Sequence, residues 1–412
     1  MLVRAKAPLR VSFAGGGTDV SPFPEAEGGV VLSATIDRYA YGSLRTRADG
    51  TISIESVDFG LSLDFPPADG PAGAGAGADR AGGPGADGAG RAGADPAAEA
   101  GADRAGADRA GGAAGPGAAG KGAAGPGAAG PGAAVKGVAG EGAAERMAFD
   151  GRLDLVKAAI RRLSMDDTGG YDLLLRSTAP PGSGLGSSST TMVALVGLLR
   201  EYYALPLSEY EIAHLAWEIE RRDLGIAGGL QDHYAATFGG FNFIEFGDRV
   251  IVNPLRVRDS TVNELELNLL LCYTGITRES AHIIGDQTAR VQTHQAGTLE
   301  GLRAQKELAV AMKAALLRGE LDDFGELLGQ AWLEKKKLSP LITTDLIDEA
   351  YDLAVQTGAT GGKVTGAGGG GYILFYCDFT RKHRVAQALE KLGVSVTEFS
   401  FERRGLTTWR AG

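Results

Sequence analysis

The sequence predicts an α+β fold in two domains, and three observations support this prediction. Strand-like alternation and amphipathic helical segments are interspersed along the chain, with long connections between them. The 412 residues are enough for two or three domains. A break in composition at 66–146 interrupts the first of them. We therefore expect an N-terminal domain at 1–255, which carries the insert 66–146, and a C-terminal domain at 256–412.

The first predicted domain alternates long strands with well-patterned helices. Ser208 and Glu211 form a capping-box pattern at the start of one helix. We expect the run that begins at Thr51 to be the hairpin partner of the long strand before it. Its predicted strands are Val3–Phe13, Val30–Arg47, Thr51–Ser56, Leu61–Phe65, Tyr171–Thr178 and Gly240–Phe246, and its helices are Leu153–Leu163, Ser188–Tyr203, Ser208–Asp223 and Gln231–Phe238.

The second predicted domain contains fewer strands and more helices. Three helices are expected between 279 and 338. Cys272 and Cys377 lie in apolar runs without metal-ligand spacing, so we expect them to be small core residues rather than a disulfide. The other predicted elements are strands at Glu266–Tyr273, Tyr372–Tyr376 and Ser395–Glu402 and helices at Thr343–Thr357 and Arg381–Leu392.

Overall charge and hydropathy exclude some classes of protein. The net charge of -10 and the pI of about 5.2 argue against a general nucleic-acid binder. The first residues have no long apolar run of a signal peptide, and no segment approaches the roughly 20 apolar residues that cross a bilayer. We therefore expect a cytoplasmic enzyme without membrane or nucleic-acid partners, as a monomer or homodimer.

The insert at 66–146 has a low-complexity composition of Ala, Gly, Pro, Asp and Arg with no aromatic residue. Such a segment buries too little apolar surface to offset chain entropy, so we expect disorder. Within it, Gly115–Gly122 nearly matches a P-loop but lacks the final Ser or Thr and a flanking strand and helix. Gly366–Gly371 fits dinucleotide-binding spacing, yet a strand follows it, so a glycine turn against a ligand or backbone is the better interpretation.

A strand, a small-residue loop and a helix follow one another at 171–203. The loop, Pro180–Thr191, is rich in Gly and Ser, and small residues let a backbone approach an anion closely. We expect its hydroxyl groups to supply an N-cap and oxygen ligands. The helix behind it directs free N–H groups and a positive dipole end into the loop. This order predicts a phosphate-binding loop and an enzyme that handles nucleotides.

Three motifs in order resemble those of the galactokinase, homoserine kinase, mevalonate kinase and phosphomevalonate kinase (GHMP) superfamily. They are Pro8–Asp19, the loop at 180–191, and Gly366–Tyr372. The first motif and the stretch 218–242 are similar to D-glycero-D-manno-heptose 7-phosphate kinases. The resemblance covers nearly all of the chain outside the insert. It implies a ribosomal-S5-like N-terminal domain, a ferredoxin-like C-terminal domain, and ATP and Mg²⁺ as cofactors.

The resemblance also implies positions for the nucleotide and its metal. Ser188 and Glu220 are the expected Mg²⁺ ligands, since Mg²⁺ takes one or two carboxylates with phosphate oxygens and water. Glu220 as an exposed helix residue paired with a neighbouring Arg is the alternative. The residues expected to bind ATP are Pro181, Gly182, Ser183, Gly184, Leu185, Gly186, Ser187, Ser188 and Ser189.

Asp232 and Arg10 are the expected catalytic residues by the same resemblance. An ionised Asp232 in the first turn of a helix is suited to accept the proton of a sugar hydroxyl. Arg10 stays protonated, so we expect it to steady Asp232 and the developing charge. The alternatives are that Asp232 caps its helix and that Arg10 is a surface cation. His233 is a further, less favoured base.

The acceptor site is predicted from the glycine-rich motifs. Asp19 on its tight loop is suited to take two sugar hydroxyls, although such residues also form turns. The residues expected to bind the substrate are Asp19, Gly17, Thr18, Gly368 and Gly369. A sugar phosphate needs a cationic anchor as well, and the sequence does not choose among Arg4, Lys6, Arg38, Arg221, Arg222 and Lys363.

The resemblance implies transfer of phosphate to the anomeric hydroxyl of D-glycero-D-manno-heptose 7-phosphate. The chain departs from the related kinases at Leu230 and His233, where these tend to carry Lys and Gln, and the aspartate between them is kept. The departure therefore concerns the choice of sugar and not the chemistry. Another aldose 1-kinase, of the fucose or galactose type, is the alternative within enzymes. A non-catalytic sugar sensor is less favoured, because a sensor needs no base.

Overall fold

A computed structural model describes residues 1–67, 147–164 and 169–412, all within one compact unit. Apart from Pro66 and Pro67, the predicted insert lies outside the described residues, as does the P-loop-like sequence in it. Numbered along the chain, the described strands are β1 (Leu2–Ala14), β2 (Gly29–Thr46), β3 (Ile52–Ser56), β4 (Leu61–Phe65), β5 (Tyr171–Ser177), β6 (Phe241–Phe246), β7 (Ile251–Pro254), β8 (Leu269–Tyr273), β9 (Ala359–Val364), β10 (Tyr372–Cys377), β11 (Ser395–Thr397) and β12 (Thr407–Ala411).

The helices occupy the connections between these strands. A π-helical turn, Ile219–Asp223, continues one of them directly. Numbered in the same way, the described α-helices are α1 (Phe23–Glu27), α2 (Asp154–Leu163), α3 (Ser187–Tyr203), α4 (Glu209–Glu218), α5 (Gln231–Phe238), α6 (Asp259–Asn268), α7 (Ser280–Gln292), α8 (Ala296–Arg318), α9 (Leu321–Lys336), α10 (Asp345–Thr357) and α11 (Phe379–Lys391).

The first sheet is organised by the long strand β2. One edge of β2 pairs antiparallel with β1, and the other edge pairs with β6 in its first half and β5 in its second. The strand order is β12-β1-β2-β5-β3-β4, with β6 and β7 joined to it through β2. The predicted hairpin between β2 and β3 is therefore wrong. Strand β5, with Tyr171, Leu173 and Leu175 buried on one face, lies between them and pairs parallel with β3.

Helix α3 fills the core behind this sheet. It is apolar around most of its circumference, and its residues from Met192 to Leu199 are buried, as expected for a helix surrounded by protein. It packs on β1 and β2 and against α2, α4 and α5. The predicted capping box at Ser208 and Glu211 is confirmed at the start of α4. The order of strand, loop and helix at 171–203 is also confirmed, which places the loop at the end of β5.

The second sheet has the order β11-β8-β10-β9 and is antiparallel throughout. The three helices predicted between 279 and 338 are α7, α8 and α9, and both cysteines are buried and unpaired as expected. Strand β9 was not predicted, because its glycines obscure the alternation. A Cβ on Gly361 would lie 2.2 Å from the carbonyl oxygen of Gly325, so this strand needs glycine to approach α9.

Two predicted strands in the second half of the chain have boundaries that differ from the structure by three residues or more. Glu266–Asn268 is the end of helix α6, so the predicted strand begins only at Leu269. The predicted strand Ser395–Glu402 ends at Thr397, with an isolated bridge from Phe401 to Ile36. Strand β12 returns to pair with β1, and the division into 1–255 and 256–412 stays a prediction. Among the described residues, no helix has the length and apolar character to cross a membrane.

Candidate active site

The loop between β5 and α3 is built on glycines. Gly182, Gly184 and Gly186 have φ values of +72°, +86° and +76°, a region that favours glycine. A Cβ on Gly184 would lie 2.7 Å from the carbonyl oxygen of Thr365, so the backbone packs closely on the turn after β9. The backbone N–H of Arg10 donates to Leu185 at 3.2 Å. The loop is thus fixed by contacts with both sheets.

The serines after the loop do not cap α3, contrary to the prediction. Gly186 occupies the N-cap position in a left-handed conformation, and no side chain caps the helix. The hydroxyls of Ser188 and Ser189 instead donate to the two carboxylate oxygens of Glu220, at 2.6 and 2.7 Å. The first N–H groups of the helix have no partner within it, as at any helix start, and remain available to an anion beside the loop.

Glu220 lies in the π-helical turn that follows α4 and is 1% exposed. Besides the two serines, His233 contacts its carboxylate, with Nε2 2.7 Å from Oε2, and the guanidinium of Arg221 lies at 3.5 Å. Burial by itself would raise the pKa of Glu220, but the His233 hydrogen bond and the Arg221 charge outweigh it and lower the pKa to about 2. The carboxylate therefore remains ionised. The alternative of an exposed helix residue does not hold.

Asp232 lies in the first turn of α5 and forms an ion pair with Arg10 of β1. Nη2 of Arg10 is 2.6 Å from Oδ1 of Asp232, Nε donates to the same oxygen at 2.8 Å, and Nη1 donates to the carbonyl oxygen of Gly184. Arg10 is 2% exposed, so it is not a surface cation. Oδ2 of Asp232 has no hydrogen bond within the described residues. A Cβ built on Gly186 would lie 3.1 Å from it, so this oxygen faces the loop.

The loop that follows β1 carries Asp19, which is fully buried. Its carboxylate accepts hydrogen bonds from the backbone N–H groups of Gly17 and Gln231 and from the amide side chain of Gln231, at 3.0–3.1 Å. Burial raises the pKa of Asp19, which these backbone hydrogen bonds partly offset. Thr18 is turned away into the fold, where its hydroxyl donates to the carbonyl oxygens of Gly15 and Val30.

A cavity of about 810 Å³ brings most of these groups together. Five predicted residues contribute nothing to its lining: Thr18, Ser183 and Leu185 are buried in the fold, and Gly368 and Gly369 pack against Ile342 and Ile283. The predicted residues that do line it are Arg10, Gly17, Asp19, Pro181, Gly182, Gly184, Gly186, Ser187, Ser188, Ser189, Glu220 and Asp232.

The cations of the cavity differ from those considered in the sequence. Of the six considered as phosphate anchors, Arg221 alone lines the cavity. Arg278 and Lys335 line it as well, and sequence reasoning missed both. Arg278 is exposed and has no hydrogen bond or ion pair within the described part of the chain. Lys335 belongs to a run of three lysines at the end of α9, which by its charge alone resembles a solvated surface.

The residues present fit a magnesium ion. No group of three His, Cys, Asp or Glu side chains suitable for a metal occurs among the described residues. Mg²⁺ does not require one, because it keeps several waters and takes one or two carboxylates together with substrate phosphates. Glu220 supplies an ionised carboxylate and Ser188 a cavity-facing hydroxyl beside it.

A glycine loop at a helix start, an ion-paired aspartate and a cavity between them define a small-molecule kinase. Comparison with known proteins agrees with this class. Residues 154–240 match the model of the GHMP kinase N-terminal domain, and 312–395 match that of the GHMP kinase C-terminal domain. The chain is 34% identical over 413 residues to the D-glycero-alpha-D-manno-heptose 7-phosphate kinase of Campylobacter jejuni, covering 99% of both chains. The chain therefore belongs to the GHMP kinase family.

Two further relatives are less similar to this chain in sequence. A crystal structure described as a D-glycero-D-manno-heptose 1-phosphate kinase from Bacteroides thetaiotaomicron superimposes with a TM-score of 0.68. It is 31% identical and covers 100% of this chain and 99% of that one. The L-fucokinase/L-fucose-1-P guanylyltransferase of Bacteroides fragilis is 29% identical over 220 residues, which is 52% of this chain and 23% of that protein. The predicted fold class is confirmed, and the chain is a phosphotransferase with a hydroxyl acceptor that uses ATP.

Proposed function

We propose that this enzyme transfers the γ-phosphoryl group of ATP to the anomeric hydroxyl of D-glycero-D-manno-heptose 7-phosphate, giving the 1,7-bisphosphate. The observation that carries the proposal is the position of Asp232. Its Oδ1 is held by Arg10, while its Oδ2 faces the phosphate-binding loop across Gly186. The full-length similarity to a heptose 7-phosphate kinase supports the choice of sugar.

The nucleotide is proposed to lie along the loop 181–189, with its phosphates against the first turn of α3. A second cavity of about 390 Å³ adjoins the first and shares Phe59, Pro181, Ser187, Ser188 and Ile226 with it. Its lining is largely apolar, with Leu61, Leu153, Leu155 and Val156, which suits the base of a nucleotide. The triphosphate then runs from this apolar cavity along the loop towards Asp232.

Ser188 and Glu220 are proposed to hold Mg²⁺, which would neutralise charge on the phosphate oxygens. The protein's own groups do the remaining work. Asp232 Oδ2 accepts the proton of the sugar hydroxyl while the sugar oxygen bonds to the γ-phosphorus. The bond from that phosphorus to ADP breaks, and ADP leaves. Arg10 fixes the orientation of Asp232, and Arg221 and Arg278 add positive charge to the cavity wall.

The sugar is proposed to lie between Asp232 and the loop that carries Gly17 and Asp19. Both residues line the same cavity as Asp232 and the serines of the loop. Position 17 is a glycine, and this leaves room in the cavity. A Cβ there would lie only 2.8 Å from the Gln287 side chain and would clash with it. Three predicted residues would then support the residues that line the cavity without contacting the sugar: Thr18, Gly368 and Gly369.

Another aldose 1-kinase activity is the second candidate, favoured by the similarity to an L-fucokinase. The two are separated by incubating the protein with ATP, Mg²⁺ and a panel of sugars: heptose 7-phosphate, heptose 1-phosphate, free heptose, fucose and galactose. NMR of the product identifies the phosphorylated hydroxyl. We expect heptose 7-phosphate to react fastest, at its anomeric oxygen. Faster turnover of a free hexose would contradict the assignment, and no turnover of any sugar would favour a sensor. Cytoplasmic location and oligomeric state stay predictions.

A further inference from the structure

Three polar side chains of the cavity surround the position that a side chain on Gly16 would occupy. A Cβ built on Gly16 would lie 3.5 Å from Oγ of Ser12, 3.7 Å from Nε2 of Gln231 and 3.9 Å from Nζ of Lys335. The three residues come from β1, the first turn of α5 and the end of α9. All of them line the cavity. Their convergence is a property of the fold, because they are more than one hundred residues apart in the sequence.

Two atoms of this cluster are buried without a partner. Oγ of Ser12 and Oε1 of Gln231 have no hydrogen bond within the described residues, and Ser12 is 2% exposed. Leaving a buried polar atom unsatisfied costs about 1–3 kcal/mol. Unpaired atoms of this kind at a cavity wall indicate that a ligand completes their hydrogen bonds.

Lys335 adds a buried cation to the same cluster. It is 5% exposed, and its ammonium donates to the carbonyl oxygen of Gly366, which leaves two of its three N–H groups without a protein partner among the described residues. Arg10, Asp19, Asp232 and Lys363 are charged groups close enough to act on it. Lys335 is thus placed beside the proposed catalytic pair, at the end of helix α9.

The mixture of donors and acceptors identifies the ligand chemistry. The hydroxyl of Ser12 both donates and accepts, Oε1 of Gln231 accepts, and Lys335 donates. Each hydroxyl of a sugar also donates one hydrogen bond and accepts others, so adjacent hydroxyls match this set. A fully ionised phosphate has no proton to donate to Gln231 Oε1, and the carboxylate of Asp19, which Gln231 holds at 3.1 Å, would repel it.

We propose that Ser12, Gln231 and Lys335 form a subsite for the sugar hydroxyls next to the reacting anomeric hydroxyl. This proposal rests on the proposed function, since it places the sugar beside Asp232. Gln231 precedes Asp232 directly and also holds Asp19, so it links the subsite to both carboxylates. The subsite fixes the orientation of the acceptor, and its loss weakens sugar binding more than nucleotide binding.

The test is steady-state kinetics of Ser12→Ala and Lys335→Met, with heptose 7-phosphate and free heptose as acceptors. Ser12→Ala removes no hydrogen bond within the described protein, so its fold is expected to persist. We expect the KM for the sugar to rise about 3- to 10-fold in Ser12→Ala and about 10- to 100-fold in Lys335→Met, with the KM for ATP within about 2-fold. The rise is the same for both acceptors, because hydroxyls and not the phosphate are bound.

Lys336→Met is the matched control. Lys336 is the next residue on α9, but its amine lies near Asp348 and over the ring of Trp332 and is absent from the cavity lining. We expect its kinetics to match the wild type.

Three outcomes would overturn the proposal: an unchanged sugar KM in both variants, an equal rise in the KM for ATP, or a rise confined to the phosphorylated sugar. If the wild type uses a different sugar, the assignment of heptose 7-phosphate fails. The same comparison on that sugar still tests the subsite.

Discussion

Replacing Lys335 by methionine should make the free protein more stable. Lys335 is almost fully buried, and burial together with the nearby charge of Arg10 lowers its pKa from 10.5 to about 8, although Asp19 and Asp232 act in the opposite direction. At 1.36 kcal/mol per pKa unit, this corresponds to about 3 kcal/mol that the charged native lysine costs at pH 7. Methionine has a similar shape and no charge, so it removes that cost.

The pH dependence follows from the order of the two pKa values. Below pH 8 both the native and the unfolded chain carry the proton, and the full cost is present. Between pH 8 and 10.5 the unfolded chain still holds the proton that the native chain has lost, so the wild type becomes relatively more stable as the pH rises. The advantage of Lys335→Met should therefore shrink from about 3 kcal/mol at pH 7 to about 1.4 kcal/mol at pH 9.5. Arg10, Asp19, Asp232 and Lys363 face Lys335 and are retained in both proteins.

Denaturant unfolding at the two pH values, followed by tryptophan fluorescence, measures this difference. Lys336→Met is again the control, since its side chain is one-third exposed and its removal should change stability by less than about 0.5 kcal/mol. A Lys335→Met protein that is less stable than the wild type at pH 7, or whose gain in stability does not change with pH, would show that the buried charge of Lys335 does not destabilise the native chain. A stabilised variant that binds its sugar poorly would show that this lysine is retained for function.

Three further predictions concern the catalytic groups. Asp232→Asn should lower kcat by about 10²- to 10⁴-fold while calorimetry shows ATP binding unchanged, and weak ATP binding with normal turnover would reverse its role. Glu220→Gln should raise the Mg²⁺ concentration that gives half-maximal rate by at least about 10-fold. It should raise the dissociation constant of Mn²⁺, measured by electron paramagnetic resonance, by the same factor. Glu218 pairs with Arg162 outside the cavity, so the control Glu218→Gln should change neither value. Gly186→Ala should lower kcat at least about 10-fold, because its Cβ would lie 3.1 Å from the Asp232 carboxylate, whereas Gly393→Ala, with a similar φ and open space, should keep normal turnover.

Local signals in the sequence predicted most of the elements and much of the candidate site. The capping box at Ser208, the apolar helix α3 and the glycine loop depend on residues close together in the chain, and each was found in the structure. Asp232 and Arg10 were placed by resemblance, and the structure brings them within 2.6 Å. Each site residue that the sequence predicted correctly lies within a short sequence motif.

Features that depend on distant pairing were not predicted. The parallel strand β5 enters between β2 and β3 from more than one hundred residues away, so an adjacent hairpin was the wrong expectation. The Ser188 and Ser189 hydroxyls have an N-cap pattern, but the buried Glu220 competes for them with a charge-assisted bond. Lys335 lies in a run of three lysines, and its burial follows only from the packing of α9 on the cavity.

A crystal structure of the ternary complex with a non-hydrolysable ATP analogue and heptose 7-phosphate would show whether the loop 181–189 binds the triphosphate and Asp232 lies beside the sugar hydroxyl. We expect the γ-phosphate to lie against the loop 181–189 and the anomeric oxygen to lie within hydrogen-bond distance of Asp232 Oδ2. A triphosphate bound away from this loop, or a sugar whose anomeric oxygen points away from Asp232, would contradict it.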